Sequence, residues 1–300
     1  MPPVQLALSG VYTPIITPFD ASGRVAFDKL GFNLEKWNQT GLRGYIVLGS
    51  NGEGIHCSDQ EKVQIFGVAR QAIPRDRLMI AGTGAGSTAL TVELTRQAAA
   101  AGADAALVLH PSYYRAQMTP PVLANHYRVI ADASPIPIII YNLPPTTGID
   151  LPADLLVELS QHPNIIGVKD TSGNIANMGE TIRRAQPTFQ VLAGSANFFY
   201  PSLAMGVQGG ILALGNVAPA ESVALYDLFA AGELDQGREL HLRMLPVNQA
   251  VTGRMGISGL KAAMDMLGFY GGPPRLPLMP LAEDRRRELR SILESARLIG

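Results

Sequence analysis

Five lysines stand in the 300-residue chain: Lys29, Lys36, Lys62, Lys169 and Lys261. Four fall in polar-faced, helix-like contexts, while Lys169 sits inside an apolar run, Ile165-Ile166-Gly167-Val168-Lys169-Asp170. A cation in such a run is costly unless it is paired or neutral. Desolvation favours the neutral amine, the form that attacks a ketone and makes a Schiff base. The plainer reading pairs the lysine with a carboxylate such as Asp170. A second apolar run ends in Tyr141-Asn142-Leu143-Pro144, whose phenol could relay protons to a carbinolamine or simply cap a core. A third ends in Gly49-Ser50-Asn51-Gly52-Glu53. Successive amides and a hydroxyl in a Gly-rich turn can hold a carboxylate, although Ser or Asn there also serves as a helix cap.

These groups can act together only if their runs are strands that open at one rim. Short β-branched runs alternate along the chain with Ala/Leu/Glu-rich amphipathic stretches. The expected strands are Val11–Thr17, Gly44–Gly49, Leu78–Thr83, Ala105–His110, Ile136–Asn142, Ile165–Asp170, Phe189–Gly194 and Gly210–Gly215. Helical stretches between them include Asp59–Ala72, Thr88–Ala101, Pro121–Ala133, Ala153–Gln161 and Pro219–Ala231. Continuous apolar strands suit a parallel sheet covered on both faces. Eight βα units match an α/β fold of the (β/α)8 TIM barrel type better than a doubly wound sheet, and in such barrels chemistry sits at the C-terminal ends of strands. The catalytic barrel is expected over 1–231. A helical C-terminal extension over 232–300 carries Asp235–Asn248, Gly259–Leu267 and Leu281–Leu298, with a Gly-Gly-Pro-Pro break at Gly271–Pro274.

Composition narrows the partners. Hydrophobic residues make up 47% and charged residues 16%, against a usual charged share of about 25%. That excludes a disordered or coiled-coil chain and fits a subunit of a homo-oligomer, because interface cores are poor in charge. A net charge of −1 and a pI near 6.5 give no basic field for nucleic acid. The single cysteine, Cys57, permits no intrachain disulfide and suits a reducing compartment. Met1–Gly10 has no basic residue ahead of an apolar stretch, and no apolar run is long enough for a membrane span, so a cytoplasmic protein is expected. Gly82-Thr83-Gly84-Ala85-Gly86 lacks the third glycine of a dinucleotide loop, since Ser87 stands there. Glu53, His56, Cys57 and Asp59 imitate a metal cluster but straddle a helix start, where acids are favoured anyway. Arg285-Arg286-Arg287 is interleaved with Glu283, Asp284 and Glu288 and reads as a solvated, paired helix face.

Three ordered motifs carry a resemblance: Gly49-Ser50-Asn51-Gly52-Glu53; Tyr141-Asn142-Leu143-Pro144 with Thr147-Gly148; and Gly167-Val168-Lys169-Asp170, its lysine 28 residues after the tyrosine. With Gly10-Val11-Tyr12-Thr13-Pro14 at the start, the chain resembles the dihydrodipicolinate synthase / N-acetylneuraminate lyase family along essentially its whole length. The resemblance implies Lys169 as the Schiff-base lysine, Tyr141 as the proton-relaying acid/base and Ser50 as a hydroxyl relay. It also implies the Ser50 and Asn51 amides as a pyruvate carboxylate cradle, with Thr146, Gly194 and Ile211 among the substrate-binding positions. Tyr113, in Pro111-Ser112-Tyr113-Tyr114, aligns with a tyrosine that reaches into a neighbouring subunit, and a homotetramer is implied. No cofactor or metal is expected, the covalent substrate adduct serving instead. Two departures stand out: Ser50 and Asn51 replace two threonines, and Thr146 replaces an arginine that clamps the aspartate semialdehyde carboxylate in dihydrodipicolinate synthases. Threonine supplies neither the charge nor the fork of that clamp.

The chain is more similar to the 4-hydroxy-2-oxoglutarate aldolase branch, through the Ser-Asn turn, His162-Pro163-Asn164-Ile165, Phe189 to Ser195, and Gly256-Ile257-Ser258-Gly259-Leu260-Lys261. The expected reaction is class I aldol cleavage of a 4-hydroxy-2-oxo acid to pyruvate and an aldehyde such as glyoxylate. The alternatives are 4-hydroxy-tetrahydrodipicolinate synthesis, cleavage of a 2-keto-3-deoxy sugar acid, and a non-catalytic barrel that binds 2-keto acids with Lys169 protonated and paired.

Overall fold

In a computed structural model that describes residues 6–300, the eight apolar runs pair as parallel strands of a closed barrel. The first residues of the Met1–Gly10 stretch, 1–5, lie outside the described residues. The strands are β1 (Gly10–Pro14), β2 (Gly44–Val47), β3 (Leu78–Gly82), β4 (Ala105–Leu109), β5 (Ile138–Asn142), β6 (Ile165–Asp170), β7 (Gln190–Ala193) and β8 (Gly209–Ile211). Each pairs with the next, and β8 closes on β1 through Gly10 to Tyr12. Strand eight is shorter than expected. After Ile211 the apolar run turns into a 3-10 segment, Ala213–Asn216, because period alone cannot tell a buried strand from a buried turn of helix.

Helices follow the strands in the alternation that the sequence suggests. Asp59–Ala72 begins at a capping box, in which the Glu61 amide donates to Ser58 Oγ and the Ser58 amide donates to the Glu61 carboxylate. Pro120–Ala133 and Pro219–Ala230 begin on prolines, whose missing N–H costs nothing in a first turn. Phe27–Trp37, Ile175–Arg184 and the short Phe199–Leu203 join the stretches read from sequence and complete the ring. The extension holds Leu234–Gln249, Gly256–Met266 and Glu283–Ser295, with a π turn at Ala250–Arg254. No helix among the described residues is long and apolar enough to cross a membrane.

Two apolar layers result. Tyr12, Ile46, Ile80, Leu107, Ile139, Leu192 and Ile211 fill the lumen, while residues such as Val11, Val47, Val108, Ile140 and Val168 pack outward against the helices. One irregularity decides where the chemistry goes. Along β5 and β6, Ile138 pairs with Ile165 but Ile139 pairs with Gly167, so Ile166 is an extra residue. Side chains alternate faces along a strand, and one extra residue reverses every face beyond it. Ile166 joins the lumen, Val168 turns outward, and Lys169 comes opposite the lumen residue Tyr141. Without the bulge the lysine would face the helix layer.

The structure corrects the reading of Lys261. Far from lying on a polar face, it is 1% exposed inside Gly256–Met266.

Candidate active site

Lys169 Nζ lies 4.0 Å from the centroid of the Tyr141 ring, and the two residues are paired across β5 and β6 near the strands' C-terminal ends. Both are buried, at 3% and 5% exposure. Asp170 does not pair with this lysine. Alternation sends it to the other face, where its carboxylate accepts from the Ser172 amide at 2.7 Å. Burial raises the Asp170 carboxyl pKa above the ordinary value, and the Ser172 and Asn142 contacts only partly offset that. Among the described residues Lys169 makes no ion pair, which removes the support for the plainer reading.

Tyr141 is under opposing influences. Burial alone pushes its phenol up, but the Lys169 charge and polar contacts from Ser50, Lys169 and Thr171 outweigh it and hold the phenol below its ordinary pKa. The phenol therefore releases its proton more readily than an exposed tyrosine for as long as Lys169 is charged. Thr171 is a site residue that the sequence reading missed. Its Oγ1 is buried without a well-aligned hydrogen-bond partner among the described residues. The signal was available: strand alternation places the second residue after Lys169 on the lysine's face. Gly194, at the end of β7, makes room for it, since a Cβ there would stand 2.0 Å from Thr171 Oγ1.

The turn after β2 is held in an unusual shape. Leu48 and Glu53 both have left-handed backbones, with φ of 61° and 50°, a conformation that costs a non-glycine residue about 1–2 kcal/mol. Between them Ser50–Gly52 forms one 3-10 turn. Among the described residues the Ser50 and Asn51 amides donate to no acceptor, whereas Gly52 and Glu53 donate to the carbonyls of Gly49 and Ser50. Two adjacent unused N–H groups at a strand end make an anion-binding concavity. Ser50 is exposed at the rim and Asn51 half-buried, so the hydroxyl that contacts Tyr141 and the free amides belong to one turn.

The remaining expected positions separate. Thr146 is exposed on the short helix Pro144–Thr147 after β5. Ile211 is fully buried in the lumen cluster that contains Tyr141, so its side chain serves as apolar packing. Tyr113 is 91% exposed and lines a groove of about 460 Å³ with Tyr114, Thr88 and His126.

Other sequence features resolve structurally. In the Gly82 to Gly86 run, a Cβ at Gly82 or Gly84 would strike the Leu48 or Leu109 carbonyl at 2.4 Å, so these glycines serve close backbone packing. Glu53 pairs with Lys261 and Asp59 with Lys62. Among the described residues no group of three or more His, Cys, Asp or Glu could hold a metal ion. Arg285 pairs with Glu288 at 2.8 Å on the solvated face.

Comparison with known proteins agrees with this geometry. Residues 7–296 match the dihydrodipicolinate synthetase family. The chain is 36% identical to a 4-hydroxy-tetrahydrodipicolinate synthase of Methanothrix thermoacetophila, over 95% of each chain. It is 34% identical to a probable mitochondrial 4-hydroxy-2-oxoglutarate aldolase of Emericella nidulans, over 96% of this chain and 95% of that one. The pyruvate complex of the Acinetobacter baumannii dihydrodipicolinate synthase superposes with a TM-score of 0.93 at 31% identity, covering 97% of this chain and 100% of that one. The chain belongs to the dihydrodipicolinate synthetase family of lyases and aldolases, enzymes that form a Schiff base on a lysine and need no external cofactor.

Proposed function

We propose that the protein is a class I aldolase that cleaves a 4-hydroxy-2-oxo acid such as 4-hydroxy-2-oxoglutarate into pyruvate and an aldehyde, glyoxylate in that case. The observation that carries this reading is the buried Lys169 amine 4.0 Å from the Tyr141 ring with no carboxylate partner among the described residues. Lys169 attacks C2 of the 2-oxo acid, water leaves, and an iminium forms. Tyr141 takes the 4-hydroxyl proton, the C3–C4 bond breaks, and its electron pair moves into the iminium to give an enamine. Protonation at C3 and hydrolysis then release pyruvate and the free amine. The Ser50 and Asn51 amides hold the C1 carboxylate, and Ser50 and Thr171 orient the phenol. Thr146 and Gly194 shape the pocket around the chain of the substrate, and Ile211 packs beneath it in the lumen.

The assembly we propose is a homotetramer in which Tyr113 of one protomer completes the site of its partner. Its exposure on a single chain supports that placement. Residues 1–231 form the catalytic barrel and 232–300 the helical extension. Cys57, the one thiol, suits a reducing compartment such as the cytoplasm.

The test is reduction of the pyruvate complex with borohydride followed by peptide mapping. A mass increase on Lys169 is expected, and a chain that takes no label there overturns the mechanism. Relatives named 4-hydroxy-tetrahydrodipicolinate synthase favour a second reading, condensation of pyruvate with aspartate semialdehyde. Thr146, lacking a guanidinium, argues against it. Comparing kcat/KM for 4-hydroxy-2-oxoglutarate, 2-keto-3-deoxy sugar acids and pyruvate plus semialdehyde decides between the branches. Preference for the semialdehyde reverses the assignment.

A further inference from the structure

Behind the Ser50–Gly52 turn lies a buried ionic network that the proposed chemistry does not use. Lys261 Nζ stands 2.6 Å from Glu53 Oε1, and both side chains are 1% exposed. The contact is close, though off the ideal hydrogen-bond angle, and the ammonium spends its protons elsewhere as well. It donates to the Thr17 carbonyl at 2.9 Å and the Pro273 carbonyl at 3.0 Å, and it sits 4.4 Å from the Phe19 ring centroid. Thr17 in turn grips the turn from the other side, its hydroxyl donating to the Gly52 carbonyl at 2.6 Å. The second Glu53 oxygen accepts from the Arg275 amide at 2.9 Å, while the Arg275 guanidinium reaches Glu61 and the carbonyls of His56 and Gly23. Lys261 therefore holds the turn by two routes, directly through Glu53 and indirectly through Thr17.

Stability alone does not explain such an arrangement. A buried ion pair seldom adds net stability over apolar residues of similar size, because desolvation cancels most of the attraction. What it does supply is fixed geometry. Glu53 occupies a left-handed backbone that a non-glycine residue adopts only when its surroundings impose it, and that residue directly follows the turn with the two unused amides.

We propose that Lys261, from the helical extension, is a positioning residue for the carboxylate cradle, setting the Ser50 and Asn51 amides through Glu53 and Thr17. The inference rests on the reading of that turn as the 2-oxo acid carboxylate site. It makes the extension part of substrate recognition while placing none of its residues on the substrate. A misaligned cradle weakens the hold on a carboxylate and leaves a ligand without one unaffected.

The experiment compares borohydride trapping of pyruvate and of methyl pyruvate, its uncharged ester, on Lys169. Wild type, Lys261→Met, the doubly neutral Glu53→Gln/Lys261→Met and Thr17→Val are used. The double variant and Thr17→Val leave no buried lone charge and guard against failure to fold. The half-saturating pyruvate concentration is expected to rise about tenfold or more in the lysine variants and about threefold in Thr17→Val. For methyl pyruvate it should stay within about twofold of wild type; a tenfold change corresponds to about 1.4 kcal/mol. Equal rises for both ligands would mean a merely structural role, and no rise in a folded double variant would mean that the pair does not set the cradle; either result overturns the proposal. Wild-type protein that traps pyruvate no better than its ester overturns the reading of the turn itself, a separate failure.

Discussion

Lys169 was legible as a reactive residue because its neighbours are apolar, yet its aim into the lumen was not, since the extra residue Ile166 leaves no mark in composition or period. Thr171 is a comparable case, visible through strand alternation but overshadowed by the lysine before it. Tyr141→Phe is expected to lower kcat by about 10²- to 10⁴-fold, the usual worth of a positioned acid/base, while pyruvate still labels Lys169; loss of labelling would assign the phenol to imine formation instead. Gly194 is predicted to be intolerant for a spatial reason. Gly194→Ala drives a Cβ toward Thr171 Oγ1, an overpacking that typically costs about 1–3 kcal/mol. Adding Thr171→Ala removes the 2.0 Å contact but leaves that Cβ 2.9 Å from the Asp170 carbonyl and from the Cβ of residue 171, so it should recover part of the thermal stability without recovering kcat, and recovery of kcat would show that Thr171 has no part in the reaction.

At the scale of elements, strands and most helices could be read because runs and periods are local, whereas the early end of β8 and the burial of Lys261 depend on what packs from afar. The helix Pro120–Ala133 shows what such packing does to a titrating group. His126 on this helix is 5% exposed, its Nδ1 stands 2.9 Å from Thr88 Oγ1, and its Nε2 has no partner among the described residues. Burial, with His110 nearby, pushes its pKa from 6.5 down to about 4. The folded state thus stays unprotonated where the unfolded chain takes up a proton, so stability is full above pH 6.5 and declines as pH falls toward 4. By linkage this one residue accounts for a loss of about 2 kcal/mol between pH 7 and pH 5. Denaturant unfolding of wild type and His126→Asn at the two pH values checks it: the variant should show a shallower decline, and an identical decline assigns the acid sensitivity elsewhere.

For the molecule as a whole, the sequence marked barrel and extension as successive segments but could not show how firmly they are joined. Besides the Lys261 network, Asn33 Nδ2 donates to the Tyr270 carbonyl and Lys36 to that of Gly268, while Asn248 reaches Ser195 and Asn197 beside β7. Assembly gives a prediction at the same scale. If Tyr113 serves a neighbour's site, mixing Lys169→Ala and Tyr113→Phe protomers, each weak alone, creates hybrids in which one site has both groups, and activity should reappear after subunit exchange. Mixtures no more active than their components would confine each site to one chain.

The chain order of the Glu53–Lys261 pair also has a meaning in time. A protein is made from its N-terminus and its domains tend to fold as they emerge, but here the acid of the pair is in the second βα turn and its cation in the extension. A nascent chain stalled before residue 261 has every strand of the barrel but neither Lys261 nor Arg275 to hold Glu53. Chains stalled before residue 261 are expected to capture pyruvate poorly and chains that carry the folded extension well, so that competence for substrate waits on the synthesis of the extension.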